Sequence, residues 1–343
     1  MELLKKLTQA TGVPGYEGPI RGAILKALEG HVDSAEVDLL GNVIAHKAGK
    51  GPVVAVAGHM DEIGFLVSHV EEKTGFLRIQ PLGGFDPVTL VAQRVVVHTK
   101  KGDLLGCIGR KPIHILTEDE KKKPIEINDL FVDLGLPGDD VHARVAVGDV
   151  VTMQQEFAKY GDVVSGKAID DRVGVYIAIE AMKRVKKLGC DLYLVATTQE
   201  EVGVRGATVA GYRINPQISI ALDVCIAADT PGVPERDQVS RMRGGAAISL
   251  KDARSISHPA LVRAFRELAE VRKIPYQITL SSRGGTDAGA LQLARDGSAA
   301  ITLSVPARYV HSVVETVSVA DVEAAISLLA AFLETANKVD LAG

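Results

Sequence analysis

Three short runs that are apolar almost throughout, residues 53–57, 192–196 and 218–222, each lead within five residues into a histidine or an acid: His59 and Asp61, Glu200 and Glu201, and Asp223. Runs of about five apolar residues without a polar face read as strands covered on both sides, as in a parallel sheet. Parallel strands need long crossovers. The chain supplies helical ones at 171–187, apolar nearly all round at its start (Val173, Val175, Tyr176, Ile177, Ala178, Ile179) and so buried, and near 258–272, 287–295 and 319–338, with further strands at 276–280 and 299–303. The predicted class is α/β. In an open sheet of that class ligands gather outside the carboxyl ends of the strands, so three strands deliver acids or a histidine to one edge.

The texture changes along the chain. Residues 1–65 read as two helices, a hairpin across Val37 to Ile44, and a buried strand. Residues 66–162 are strand-rich, with runs at 76–79, 94–99 and 104–109 and a Lys100-Lys101-Gly102-Asp103 turn, the pattern of a small barrel or sandwich. From 163 to 343 strands and helices alternate again. The expectation is one catalytic α/β domain, 1–65 with 163–343, interrupted by an inserted β-rich domain, 66–162, that carries no candidate metal ligand. His59 and Asp170 then flank the insertion and must meet in space. A chain of 343 residues with 46% hydrophobic content has enough apolar mass for one large core and a smaller one. The run Thr117 to Pro124 in the insertion reads as solvated charge, its alternative being an edge that meets another subunit.

Imidazole nitrogen and carboxylate oxygen suit borderline divalent cations such as zinc and cobalt, and two such ions about 3.5–4 Å apart need a carboxylate shared between them. His59, Asp170, Glu201, Asp223 and His311 would supply one bridge and two further ligands for each ion. Three carboxylates and a bridging hydroxide balance the charge of two divalent ions. Asp61, two residues after His59, is placed to accept the proton on the imidazole nitrogen that faces away from the metal. Glu200, beside a ligand, is the candidate general base. Each fragment alone has an ordinary reading: a solvated acid, a capping histidine, or acids opening a helix. Their joint placement after separate apolar runs is what favours a single site. The remaining histidines, His31, His46, His69, His98, His114, His142 and His258, follow no such pattern and read as structural or solvated.

A net charge of -4 without a basic stripe argues against a nucleic-acid partner. No apolar run reaches the roughly 18–20 residues that span a bilayer, and the start Met1-Glu2-Leu3-Leu4-Lys5-Lys6 lacks the apolar core of a signal peptide. Cys107, Cys190 and Cys225 form no paired motif and read as free thiols of a reducing compartment. Cytoplasm is the expected location. Cys225, two residues beyond Asp223, reads as a small packing residue.

Five motifs, Gly58-His59-Met60-Asp61-Glu62-Ile63-Gly64, Ala168-Ile169-Asp170-Asp171-Arg172, Gln199-Glu200-Glu201-Val202-Gly203, Gly284-Gly285-Thr286-Asp287-Ala288 and Tyr309-Val310-His311-Ser312, resemble the tetrahedral aminopeptidases, relatives of the glutamyl and deblocking aminopeptidases. The resemblance spans the chain in order. It implies a phosphorylase/hydrolase-like mixed-sheet catalytic domain interrupted by a PDZ-like β-barrel dimerisation domain, with dimers built into a twelve-subunit tetrahedron. It implies two divalent ions per subunit, zinc or cobalt with manganese also accepted: one on His59 and Asp223, the other on Glu201 and His311, with Asp170 bridging and followed by a cis peptide. The expected activity is removal of N-terminal residues from short peptides. Residues 224–229 and 304–309 resemble most the leucine-preferring members, which implies a neutral or hydrophobic first residue.

Gly285, Thr286 and Asp287 are candidates for shaping the substrate pocket, or else a plain helix N-cap at Thr286. The alternative activity is that of a related two-metal deacylase or dipeptidase, which would recognise an acyl group or a carboxylate. Glycoside hydrolysis, a label some members have carried, needs two carboxylates flanking an aromatic-lined groove, and this chain has no Trp and only 4% aromatic residues. A non-catalytic scaffold would have lost ligands, and none is lost.

Overall fold

The computed structural model describes residues 1–342. The four strands at the centre of the large sheet are Asp191–Thr197, Val53–His59, Ile218–Ile226 and Ala299–Arg308, all parallel. Antiparallel strands flank them: Val43–Lys47 and Ser34–Val37 on one side, and Glu315–Ser318, Val163–Gly166 and Ala158–Tyr160 on the other. Ala246–Lys251 and Tyr276–Leu280 extend the sheet beside Ala299–Arg308, giving eleven strands in all. The sheet is mixed rather than purely parallel. The parallel centre is its most buried part, as expected where helices cover both faces.

Ile169–Arg184 packs against Val53–His59, Ile218–Ile226 and the helices Glu2–Gln9 and Val319–Thr335. That contact on all sides accounts for its apolar circumference. The helix stops short of residue 187 because Val185 is already extended. The helix expected over 287–295 is the single turn Ala288–Leu291, after which the chain turns twice before Gly297, where φ reaches +102°. The strand expected at 299–303 runs on to Arg308 because Ile218–Ile226 pairs with it along its length.

Six further strands, Gly64–Val70, Leu77–Leu82, Arg94–Thr99, Gly102–Arg110, Leu130–Asp133 and Val150–Met153, close into an antiparallel barrel. Phe65, Leu77, Val95, Val97, Val132 and Val151 fill its interior, each wholly buried, as period-2 alternation around a closed barrel requires. The charged run inside it is a short exposed helix, Glu118–Lys122, opened by a capping box between Thr117 and Glu120.

A buried ionic knot ties the N-terminal segment to the sheet edge. Glu62 accepts from the Lys167 ammonium at 2.5 Å and from the Gly12 amide at 3.1 Å, while the fully buried Arg172 guanidinium donates to the carbonyls of Leu7 and Ala10 at 2.6 and 2.9 Å. Leaving such a buried charge unpaired costs about 3–5 kcal/mol, so residues 7–12, the turn after His59 and the start of Ile169–Arg184 are fixed together. The Asp170–Asp171 peptide at that start is cis.

Candidate active site

His59 is the last residue of its strand, Asp223 lies inside the neighbouring strand, and Asp170 opens the helix that crosses beneath both. Glu200 and Glu201 follow Asp191–Thr197 after a turn at Gln199, whose φ is +55°. His311 sits in the tight turn after Ala299–Arg308, where Tyr309 and His311 hold φ of +61° and +62°. Non-glycine residues rarely adopt this left-handed region; two of them so close together make a stiff turn that aims the imidazole at the sheet edge.

Asp170 lies between the two imidazoles. Its Oδ1 is 3.0 Å from His59 Nε2 and its Oδ2 is 3.5 Å from His311 Nε2, which is also 3.3 Å from Glu201 Oε1. His59, Asp170 and Asp223 bring ligand atoms within 4.8 Å of one another, and so do Asp170, Glu201 and His311. The two groups share Asp170.

The electrostatics are those of a cation site. Burial raises Asp223 well above the usual carboxylate range, and the acids Asp171 and Asp170 beside it add to the effect; burial likewise raises Glu201. Asp170 moves the other way, because the two imidazoles outweigh its burial. Burial works against charge on His311, yet its contacts with Asp170 and Glu201 lift it to about 11. Acids so crowded in a dry site hold their charge only beside a positive partner, and the donor set of imidazoles and carboxylates is one that zinc, cobalt or manganese accepts.

Burial, joined by the charges of Asp287, Glu201 and Asp61, pushes Glu200 up to about 8. Its backbone amide and that of Glu201 donate to the two oxygens of Asp61 at 3.0 and 3.1 Å. Asp61 stands beside His59, but its carboxylate makes other contacts than the one expected from the sequence. The acceptor within hydrogen-bond reach of His59 Nδ1 is the Asp61 backbone carbonyl, at 3.1 Å, while the carboxylate stands at 3.6 Å. The side chain is committed to the amides of the Glu200 turn.

Two supporting acids escaped sequence reading. Glu315, 2% exposed, accepts the Asp170 amide at 2.9 Å and the His311 amide at 2.8 Å. Asp171 accepts the amides of His59 at 3.1 Å and Gly174 at 3.0 Å. The available signal was an acid opening the short buried strand Glu315–Ser318, and the second acid of a pair. The barrel also reaches the site. A Cβ at Gly83 would stand 3.2 Å from Glu201 Oε2 and one at Gly84 3.4 Å from His311 Nδ1. The insertion brings no ligand, but its backbone is a wall.

A cleft of about 350 Å³ opens over this centre, and its lining includes His59, Asp170, Glu200, Glu201, Asp223 and His311. Gly285 and Thr286 line it; Thr286 Oγ1 is 2.9 Å from Thr302 Oγ1. Asp287 lies behind, accepting from Thr197 Oγ1 at 2.5 Å with its other oxygen unpartnered, and burial pushes it up to about 6. Cys225 lines the cleft wall instead of packing away from it, its Sγ 3.3 Å from Ser240 Oγ, and burial pushes it up to about 12. His46 and His98 lie elsewhere, paired with Asp191 and Asp103 at 2.9 Å each.

The family described as M42 glutamyl aminopeptidase matches residues 41–328. The lysyl aminopeptidase of Pyrococcus furiosus is 36% identical over 349 residues, which cover 99% of this chain and 98% of that one. Among solved structures, an aminopeptidase from the archaeon Desulfurococcus kamchatkensis superposes with a TM-score of 0.93 at 40% identity, covering 97% of this chain and 94% of its own. The TET1 peptidase of Pyrococcus horikoshii, which can assemble into a tetrahedron or a large octahedral shell, superposes with a TM-score of 0.86 at 34% identity, covering 97% and 98%.

Proposed function

The chain belongs to the M42 glutamyl aminopeptidase family, metal-dependent peptidases that act at the N-terminus, and on that footing we propose that it removes single residues from short peptides with two divalent ions per subunit. The observation that carries the reading is the pair of ligand groups sharing Asp170, with the unligated Glu200 beside them in one cleft. His59 and Asp223 would hold one ion, Glu201 and His311 the other, and Asp170 both. When bound, such ions supply Lewis acidity toward the scissile carbonyl and make a water molecule acidic enough to serve as nucleophile near neutral pH.

The chain's own residues do the rest. Glu200 takes the proton from the attacking water and returns it to the leaving amine. Asp61 holds the turn that carries Glu200 and Glu201 by both amides, and Glu315 does the same for Asp170 and His311. Glu62, Lys167 and Arg172 brace the strand end against the N-terminal segment. Val224, Ile226 and Val239 line the cleft beyond the centre and favour a neutral, leucine-like first residue. The P. furiosus relative is named for lysine, so the preference needs a panel.

Two further parts of the reading concern architecture. Residues 1–65 and 163–343 form the catalytic domain, and 66–162 an inserted domain for dimerisation. Leu105, Ile113 and Ile115, each more than half exposed on the barrel segment, support that role. Dimers would then build a dodecamer, in the manner of the tetrahedral P. horikoshii peptidase. Light scattering on the eluted protein should give twelve times the chain mass; a monomer across the micromolar range would refute the assembly. Among the described residues no helix is long and apolar enough to cross a membrane. The three unpaired cysteines support a cytoplasmic location.

The activity is tested with leucine p-nitroanilide and its N-acetylated twin, on chelator-stripped protein with and without cobalt, zinc or manganese. The expected result is metal-dependent release from the free-amine compound alone, with glutamyl and lysyl p-nitroanilides ranking below leucine. Release of acetate from the acetylated twin, leaving leucine p-nitroanilide, would favour a deacylase, and hydrolysis of neither aminoacyl nor acetylated substrates would count against the peptidase reading.

A further inference from the structure

We infer that the groove between the barrel and the His311 turn receives the departing part of the peptide and selects an apolar side chain at the substrate's second residue. The inference rests on the aminopeptidase reading above and names a part of the substrate site beyond the pocket for the first residue.

The cleft over the metal ligands is small, about 350 Å³, and is lined by the acids of the centre. Those carboxylates suit the free ammonium of an N-terminal residue, and the volume suits one side chain. On the other side of His311 lies a larger groove of about 750 Å³. Val310 and His311 line both cavities, so a chain crossing the centre passes from one into the other. A peptidase that cuts the first bond must place a single residue on one side of the attacked carbonyl and everything else on the opposite side. The larger groove fits the longer part.

The groove's walls set its chemistry. One is the 309–314 turn, stiffened by the left-handed backbone at Tyr309 and His311. The other is the barrel segment from Gly84 through the helix Pro87–Leu90 to Gln93. Phe85 is pinned there by stacking on the barrel-core Phe65, ring centroids 4.4 Å apart. Val88 is 64% exposed, Tyr309 54% and Val314 40%, which leaves apolar surface facing a groove that adjoins the catalytic cleft at Val310 and His311. The carboxylate of Asp86 already accepts the Val88 amide at 3.0 Å as a helix cap. An apolar side chain would bury against Val88 and Val314, at a gain near that of a partly buried aliphatic group.

The test compares kcat/KM for metal-loaded enzyme on tripeptides that share the best N-terminal residue and carry Phe, Leu, Gly, Asp or Lys second. Wild type should prefer Phe and Leu over Gly by about tenfold. Val88→Asp should shift the Lys-to-Asp ratio several-fold upward and Val88→Lys several-fold downward, opposite effects that a general loss of packing would not produce. Equal turnover of all second residues by wild type, or Val88 variants that change every peptide in the same proportion, would overturn the assignment while the aminopeptidase reading stands. Turnover of none of them would overturn both.

Discussion

Glu200→Gln is expected to lower kcat by about 10²–10⁴-fold, the range for loss of a positioned general acid–base group, while the purified protein keeps its full metal content. The substitution conserves volume and removes only the ability to take a proton. The Glu200 carboxylate lies in the cleft, outside both three-residue ligand groups. The amide that fixes its place is a backbone group bonded to Asp61, untouched by the change. Elemental analysis and substrate kinetics on the same preparation separate the two effects. A variant retaining a tenth or more of wild-type turnover would remove Glu200 from the role of base, and one that had lost metal would make it a ligand.

The same contrast between side chain and backbone explains how much of this molecule was legible in its sequence. The three apolar runs 53–57, 192–196 and 218–222 announced the parallel centre of the sheet, because burial on both faces leaves a run without polar interruptions. Residues placed on or soon after those runs, His59, Glu201 and Asp223, could be grouped from that pattern together with the edge rule for open sheets. Asp170 and His311 joined them as the acid and the imidazole that complete two ligand sets, a chemical argument rather than a pattern, since a helix start and a turn leave a weaker mark. The turn that aims His311 depends on two left-handed residues, Tyr309 and His311, that are not glycine; nothing in their side chains signals such a conformation.

What stayed hidden was carried by the main chain. The barrel wall at Gly83 and Gly84 meets Glu201 and His311 through the absence of a Cβ, a contact with no signature beyond two common glycines. Glu315 and the carboxylate of Asp61 act on backbone amides, which every residue has, so no partner residue type pointed to them. The distribution of exposed valines along Val88 and Val314 was equally silent, because it becomes a groove only when the insertion folds back beside the turn. Spacing along a chain reports side chains that meet side chains far better than it reports acids that hold a loop by its amides.

Asp170→Asn should instead cost metal. Its carboxylate stands between the imidazoles of His59 and His311 and belongs to both ligand groups, so removing its charge weakens two sites at once, whereas a change at Asp223 or Glu201 would touch one. Asparagine keeps the shape and one oxygen, and the backbone amide that Glu315 accepts remains in place. Any loss therefore reports the charge and the second oxygen rather than a collapsed loop. We expect bound metal to fall from two ions per chain to one or none, and turnover to fall by about 10³-fold, the rate equivalent of losing several kcal/mol of electrostatic stabilisation. Metal analysis after dialysis against micromolar zinc or cobalt decides the point independently of activity. Retention of two ions by this variant would refute Asp170 as the bridge. Loss of metal here beside its retention in Glu200→Gln would divide the acids of the cleft into those that hold the ions and the one that moves the proton.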